Sequence, residues 1–285
     1  MPQQQRPPKS FKAVTNPEKF KPFPTIETLG DFEGVWKKNR PWVLANLSHA
    51  AYHSPKTIGS LMKRFGATDI RTYDVRGAQA FLAVWPDKAV LAFRGTQPTE
   101  KPQHSSRFVQ SLQEFLEQAL GIELPDEYVP FLGNDVLADL MFQTKSFGNA
   151  KVHKGFLKES NKLWRSLIVR DLKKLTEPNG LPVSVTGHSL GGAMATIAGM
   201  RNTFHEVVTF GEPRVGRDIS SEFKAKRHIR YVNGDDPVTK IPPRWWPFSY
   251  EHHGTRKKIV DPDGPNAIYD HSIIYYAENL AFPNS

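Results

Sequence analysis

No cysteine occurs among the 285 residues, which excludes disulfides, thiolate metal sites, iron–sulfur ligation and a cysteine nucleophile. Long apolar runs are missing too. The longest, AFLAVW (80–85) and AVLAF (89–93), fall far short of the roughly 20 residues of a membrane-spanning helix, so no transmembrane segment is expected. The opening MPQQQRPPKSF lacks the apolar core of a secretory signal. As written the chain is expected to be cytoplasmic, and secretion would require a leader already removed. Acidic residues are the scarcer charge, 29 against 38 Lys and Arg, for a formal net charge of +9. That balance slightly favours anionic partners or surfaces. Aromatic-interleaved basic repeats, zinc-finger spacing and a helix-turn-helix pattern are all absent, so nucleic acid is not an expected partner.

What is present describes a globular chain, with 39% hydrophobic and 24% charged residues. Residues 1–24 carry six prolines, and Arg6, Lys9, Lys12, Lys19 and Lys21 face only Glu18, as in a flexible or extended lead-in. No linker or repeat divides the remainder, so 25–285 reads as a single domain. From Phe32 to about Met62 apolar residues recur at helical spacing. Strands follow at 72–75, 78–85 and 89–95. The segment 156–175 reads as one amphipathic helix ended by PNGL. Next come a strand at 182–187, a small-residue helix at 190–200, strands at 205–210 and 228–233, a polar strand around YEHHGTRKKIV, and a closing helix at 271–282. Strands alternating with helices predict an α/β fold, a central and mostly parallel sheet covered by helices on both faces.

The chemistry concentrates in PVSVTGHSLGGAMATIAGM (182–200). It holds Gly187-His188-Ser189-Leu190-Gly191, a G-x-S-x-G between an apolar strand and a helix. A serine there sits on a strained turn with its hydroxyl off the sheet, and the helix N-terminus behind it offers free N–H groups to a developing oxyanion. Serine alone is a poor nucleophile, so a histidine base and an orienting acid should follow in the order Ser, Asp/Glu, His. The acid candidates are Asp235 and Asp236, just past a predicted strand. His205 and His228 precede strands, which leaves His252, His253 and His271. Spacing alone leaves Asp235/Asp236 and His252/His271 open.

The blocks AFRGT (92–96), DVLADL (135–140), KVHKGFL (151–157), GHSLGGAMA (187–195), TFGEPRVG (209–216), RYVNGDDPVTKIPP (230–243) and DHSIIYY (270–276) together resemble the class 3 lipase family, the fungal-type triacylglycerol lipases and their bacterial relatives. The resemblance implies the α/β-hydrolase fold and a serine hydrolase of lipid esters. A triacylglycerol lipase is the first specific expectation. A short-chain or feruloyl-type carboxylesterase is the alternative within the class, and a catalytically inactive lipid-binding module the alternative outside it. By the family pattern Ser189 is the nucleophile, Asp236 the acid and His271 the base. The oxyanion donors are then Leu190 and Thr96. No metal or cofactor is expected. The partner is an acylglycerol or other ester, taken at a lipid–water interface by a monomer or weak oligomer.

Two departures from the family stand out. Secreted fungal members commonly carry disulfides, absent here. A spacer of 37 residues (97–133) also follows Thr96, where the family places a shorter lid. Within it Phe108, Leu112, Phe115 and Leu116 belong to an apolar stripe at helical spacing, which reads as a lid-like insertion or a docked helix. Trp245 and Trp246 are further acyl-pocket candidates. Asp261-Pro262-Asp263-Gly264 offers too few carboxylates to predict calcium. Glu212 and Arg214 are expected to form a structural ion pair, and His188 to pack behind the nucleophile.

Overall fold

The computed structural model describes residues 32–95, 143–164, 167–176, 180–242, 244, 249–260 and 267–281. The lead-in 1–24, Thr96, the insertion 97–133 with Phe108, Leu112, Phe115 and Leu116, the pair Trp245 and Trp246, and the turn at 261–264 lie outside the described residues.

Seven strands form the main sheet: β1 (Asp69–Val75), β2 (Ala78–Val84), β3 (Ala89–Phe93), β6 (Val183–His188), β7 (Glu206–Phe210), β9 (His228–Asn233) and β10 (Thr255–Ile259), side by side in that order. The first three pair antiparallel, and β3, β6, β7, β9 and β10 run parallel. Both faces are covered, so the inner strands are apolar without a break, and all five residues of β3 are buried. Side chains still alternate. Ala80, Leu82 and Val84 enter one core with the helices α4 (Lys154–Trp164), α5 (Leu167–Thr176) and α6 (Leu190–Arg201). Phe81, Ala83 and Trp85 enter the other, with α1 (Phe32–Lys38), α2 (Arg40–Ala50), α3 (Pro55–Arg64) and α8 (Ile273–Ala281). A short α7 spans Ala267–Asp270. Among the described residues no helix is long and apolar enough to cross a membrane.

The single helical pattern read over 32–62 is three helices. Asn39 breaks it by accepting from the Trp42 N–H, with Pro41 opening α2, and Ser54 caps α3 with Pro55 in its first turn. The segment 156–175 likewise divides into α4 and α5. His252 and His253 precede β10 and are not part of it. A second sheet escaped the sequence reading: β4 (Thr144–Phe147), β5 (Ala150–His153) and β8 (Gly216–Arg217), all antiparallel. Its available signal was the two-residue Gly148-Asn149 turn, with Gly148 at φ +57°.

Register fixes where the chemistry emerges. Gly187 lies level with Phe93, His188 with Phe210, and Phe210 with Tyr231. The chain after β3, β6, β7 and β9 therefore leaves the sheet along one edge, where open α/β sheets place their sites.

Candidate active site

Ser189 stands between β6 and α6 at φ +57°, ψ −126°, a backbone region costly for any side chain. Its neighbours show why glycine flanks it. A Cβ at Gly187 would come within 2.3 Å of the Gly191 backbone, and one at Gly191 within 2.4 Å of the Phe93 carbonyl. The first contact lets the turn close. The second lets α6 rest on the end of β3 and brings Arg94 and Gly95 beside the serine.

Three buried side chains converge here. His271 Nε2 is 3.1 Å from Ser189 Oγ, and His271 Nδ1 is 3.0 Å from each oxygen of Asp236. The Val238 N–H donates to Asp236 Oδ1 at 2.9 Å and the Tyr276 hydroxyl to Oδ2 at 2.7 Å. Burial, then the Asp236 carboxylate, push the Tyr276 hydroxyl well above its ordinary value, so it stays a donor. Asp235 turns outward to Lys240 at 3.0 Å, and its own N–H donates to Asp270 Oδ2 at 2.8 Å. Asp270 thus ties the acid's loop to the loop of His271. His252 makes no hydrogen bond to this relay among the described residues, its Nε2 donating to the Thr239 carbonyl at 2.7 Å. Leu190 opens α6, where N–H groups have no intrahelical acceptor.

His188 links the relay to α2. Burial, then His271, hold its ring well below the ordinary histidine value, so it is neutral. Its Nε2–H donates to the His271 carbonyl at 2.7 Å, which leaves Nδ1 to accept from the Tyr52 hydroxyl at 2.9 Å. The Gly95 backbone also hydrogen-bonds that hydroxyl, and a Cβ on Gly95 would lie 2.0 Å from it. Tyr52, which the sequence reading passed over, therefore joins the end of β3 to the carrier of His271. Tyr52→Phe leaves two buried polar groups unpaired and is expected to lower kcat by roughly ten- to a hundredfold, about 1–3 kcal/mol, with KM little changed. Steady-state kinetics on a soluble ester decides it, and an unchanged kcat would remove Tyr52 from the account.

Glu212 does not pair with Arg214. Its carboxylate accepts from Thr196 Oγ1 at 2.6 Å and Thr209 Oγ1 at 2.5 Å, and lies 3.2 Å from His228 Nε2. Arg214 instead donates to the carbonyls of Lys240 and Pro242. Burial would raise the Glu212 carboxyl, but His228, Arg230 and His252 overcome it and hold it at about 2.

These groups predict how stability responds to acid. Burial, then Arg230, lowers His252 from 6.5 to about 4, and burial, then His228, does the same to His253. Such rings are neutral in the fold yet take up protons once unfolded. Their contribution is therefore complete above about pH 6.5 and lost as pH falls towards 4. Glu212 adds a second loss between about 4.5 and 2. Tm should fall steeply from pH 6.5 to 4 and again below it; Glu212→Gln should remove the carboxylate's own loss and, because Glu212 raises both rings, carry the histidine loss to lower pH. Melting curves across that range test this, and a constant Tm between pH 6.5 and 4 contradicts it.

Among the described residues no three His, Asp or Glu side chains gather as metal ligands would. A family model described as lipase (class 3) matches residues 90–245, more than half of the chain. The chain is 33% identical to Lipase A of Sodiomyces alcalophilus over 173 residues, 52% of this chain and 40% of that protein. It is 31% identical to a lipase of Rhizomucor miehei over 153 residues, 47% of this chain and 42% of that one. The chain thus spans less than half the length of these curated relatives. Among solved structures, a triacylglycerol lipase whose catalytic centre is described as a serine protease triad superposes with a TM-score of 0.57 at 23% identity, over 80% of this chain and 82% of that one.

Proposed function

Because the chain belongs to the class 3 lipase family and has the α/β-hydrolase fold, we propose that it is a serine hydrolase of carboxylic esters, with acylglycerols as its first substrate class. The observation that carries this reading is the buried relay from Ser189 through His271 to Asp236, with links of 3.1 and 3.0 Å. His271 Nε2 takes the Ser189 proton as Oγ attacks the ester carbonyl. Asp236 holds the ring with its proton on Nδ1 and stabilises the imidazolium that forms. The leaving alcohol takes that proton from Nε2. An acyl-enzyme remains, and water activated by the same nitrogen hydrolyses it.

The charge on the tetrahedral oxygen calls for donors fixed in advance. The Leu190 N–H at the start of α6 is one, and we assign Thr96 as the other. Support for Thr96 comes from the family pattern and from Gly95, whose added Cβ would lie 2.6 Å from the His188 carbonyl. The same proposal treats 25–285 as one hydrolase domain and the protein as a monomer or weak oligomer at a lipid–water interface.

An ester series from acetate to long-chain acyl, run below and above substrate solubility, tests the proposal. Long-chain esters above their solubility limit should be the best substrates. Activity confined to dissolved short-chain esters would assign the carboxylesterase reading. Failure to hydrolyse any ester would leave only the lipid-binding module.

A further inference from the structure

A cavity of about 390 Å³ opens beside the acid's loop, away from Ser189, between the β9–β10 edge of the sheet and the 234–244 segment. Six cations line it, Arg214, Arg230, Lys240, Arg244, Arg256 and Lys258, against three acids, Asp235, Asp236 and Glu251. The acids are already engaged. Asp236 holds His271, Asp235 pairs with Lys240, and Glu251 accepts from the Asp218 N–H at 2.7 Å. The remaining five cations make no close ion pair among the described residues, although at longer range Glu212 acts on Arg230 and Lys258 on Asp235.

Sheet geometry builds this concentration of charge. Arg256 lies level with Arg230 and Lys258 with Val232, so Arg230, Arg256 and Lys258 share one face. Arg230 is buried, and its one side-chain hydrogen bond among the described residues is Nε donating to the His253 carbonyl at 2.9 Å. Arg214 is half-buried. Burial, then the neighbouring Arg244 and Arg230, hold its guanidinium below the ordinary value. Burial and Arg256 do the same for Arg230 against an opposing pull from Glu212. Guanidiniums crowded together in this way need a counter-charge, and their planar N–H forks match tetrahedral oxyanions.

We propose that this cavity is a binding site for a phosphate group, held by Arg230, Arg244, Arg256 and Lys258. Its volume exceeds what a bare phosphate ion fills, which leaves room for an organic substituent. A soluble phosphate ester and a phospholipid headgroup share that chemistry, and the test separates them.

Inorganic phosphate is titrated into the full chain by calorimetry at low salt. Two variants follow: Arg244→Gln with Arg256→Gln, and Lys257→Gln alone. Lys257 follows Arg256 but stands level with Tyr231 on the opposite face of the sheet, so it reports the loss of a neighbouring charge that lies outside the cavity. All three substituted side chains are exposed, and the fold should tolerate their loss. Saturable binding by the unaltered protein is expected, at least tenfold weaker in the double variant and retained in Lys257→Gln. No saturation, or an equal loss in Lys257→Gln, overturns the proposal. Co-sedimentation with phosphatidylcholine vesicles containing phosphatidylglycerol then identifies the source. Sedimentation lost in the double variant and competed by phosphate assigns a headgroup. Phosphate binding without such sedimentation assigns a soluble phosphate ester.

Discussion

Ser189→Ala is expected to lower kcat by about a million-fold, and His271→Ala by a similar factor, because the members of such a relay act as one unit. The double variant should fall little further. The alanine at 189 still carries a Cβ at φ +57°, so the strained turn is no worse and the fold should persist. His271→Ala removes the only base within hydrogen-bond reach of Ser189 Oγ among the described residues. A circular dichroism spectrum and Tm close to those of the unaltered protein, alongside the loss of kcat, separate chemistry from unfolding. Near-full activity in His271→Ala with loss in His252→Ala would transfer the base to the other histidine.

Asp236→Asn is expected to cost roughly ten-thousand-fold in kcat, and Asp235→Asn little. The argument turns on which atom the amide presents. The Val238 N–H can only donate, so the Asn carbonyl oxygen must occupy the Oδ1 position, 2.9 Å away. The amide nitrogen then falls at the Oδ2 position, 3.0 Å from His271 Nδ1, and donates where the carboxylate accepted. Where Nδ1 accepts from that amide, the imidazole proton sits on Nε2 and no lone pair is left for the Ser189 proton; where Nδ1–H donates instead to the equally close carbonyl oxygen, the imidazolium loses the carboxylate charge that stabilises it. Asp235 is exposed, and the Lys240 ammonium, then Lys258, lower its carboxyl below the usual value, so its side chain acts on solvent and surface lysines and not on His271. Comparable losses in the two variants would show that the loop, not the Asp236 carboxylate, is what matters.

The contrast between these two aspartates marks how far the sequence carries. A G-x-S-x-G between a strand and a helix is a local feature with a local cause, since the Cβ clashes at Gly187 and Gly191 arise within one turn and its neighbouring strand. The α/β class was legible for the same reason, because burial on both sheet faces leaves uninterrupted apolar runs such as Ala89–Phe93. Choosing Asp236 over Asp235 needed the family pattern, because the choice depends on Asp270 accepting from the Asp235 N–H 35 residues away. Tyr52 was out of reach, since its partner His188 lies 136 residues along the chain. The expected Glu212–Arg214 pair failed because proximity in sequence says nothing about the two threonines and the histidine that the sheet packs around Glu212. The broken helix at 32–62 was legible in principle, since Asn39-Arg40-Pro41 and Ser54-Pro55 are capping signals that the apolar periodicity overrode.

Labelling with an alkyl organophosphonate tests the central claim most directly, because such a reagent reacts only with a serine whose proton a neighbouring base removes. Intact-mass spectrometry should show one adduct per chain, peptide mapping should place it on Ser189, and His271→Ala should label far more slowly. An unlabelled protein, or an adduct that persists in Ser189→Ala, would contradict the assignment of Ser189 as the nucleophile.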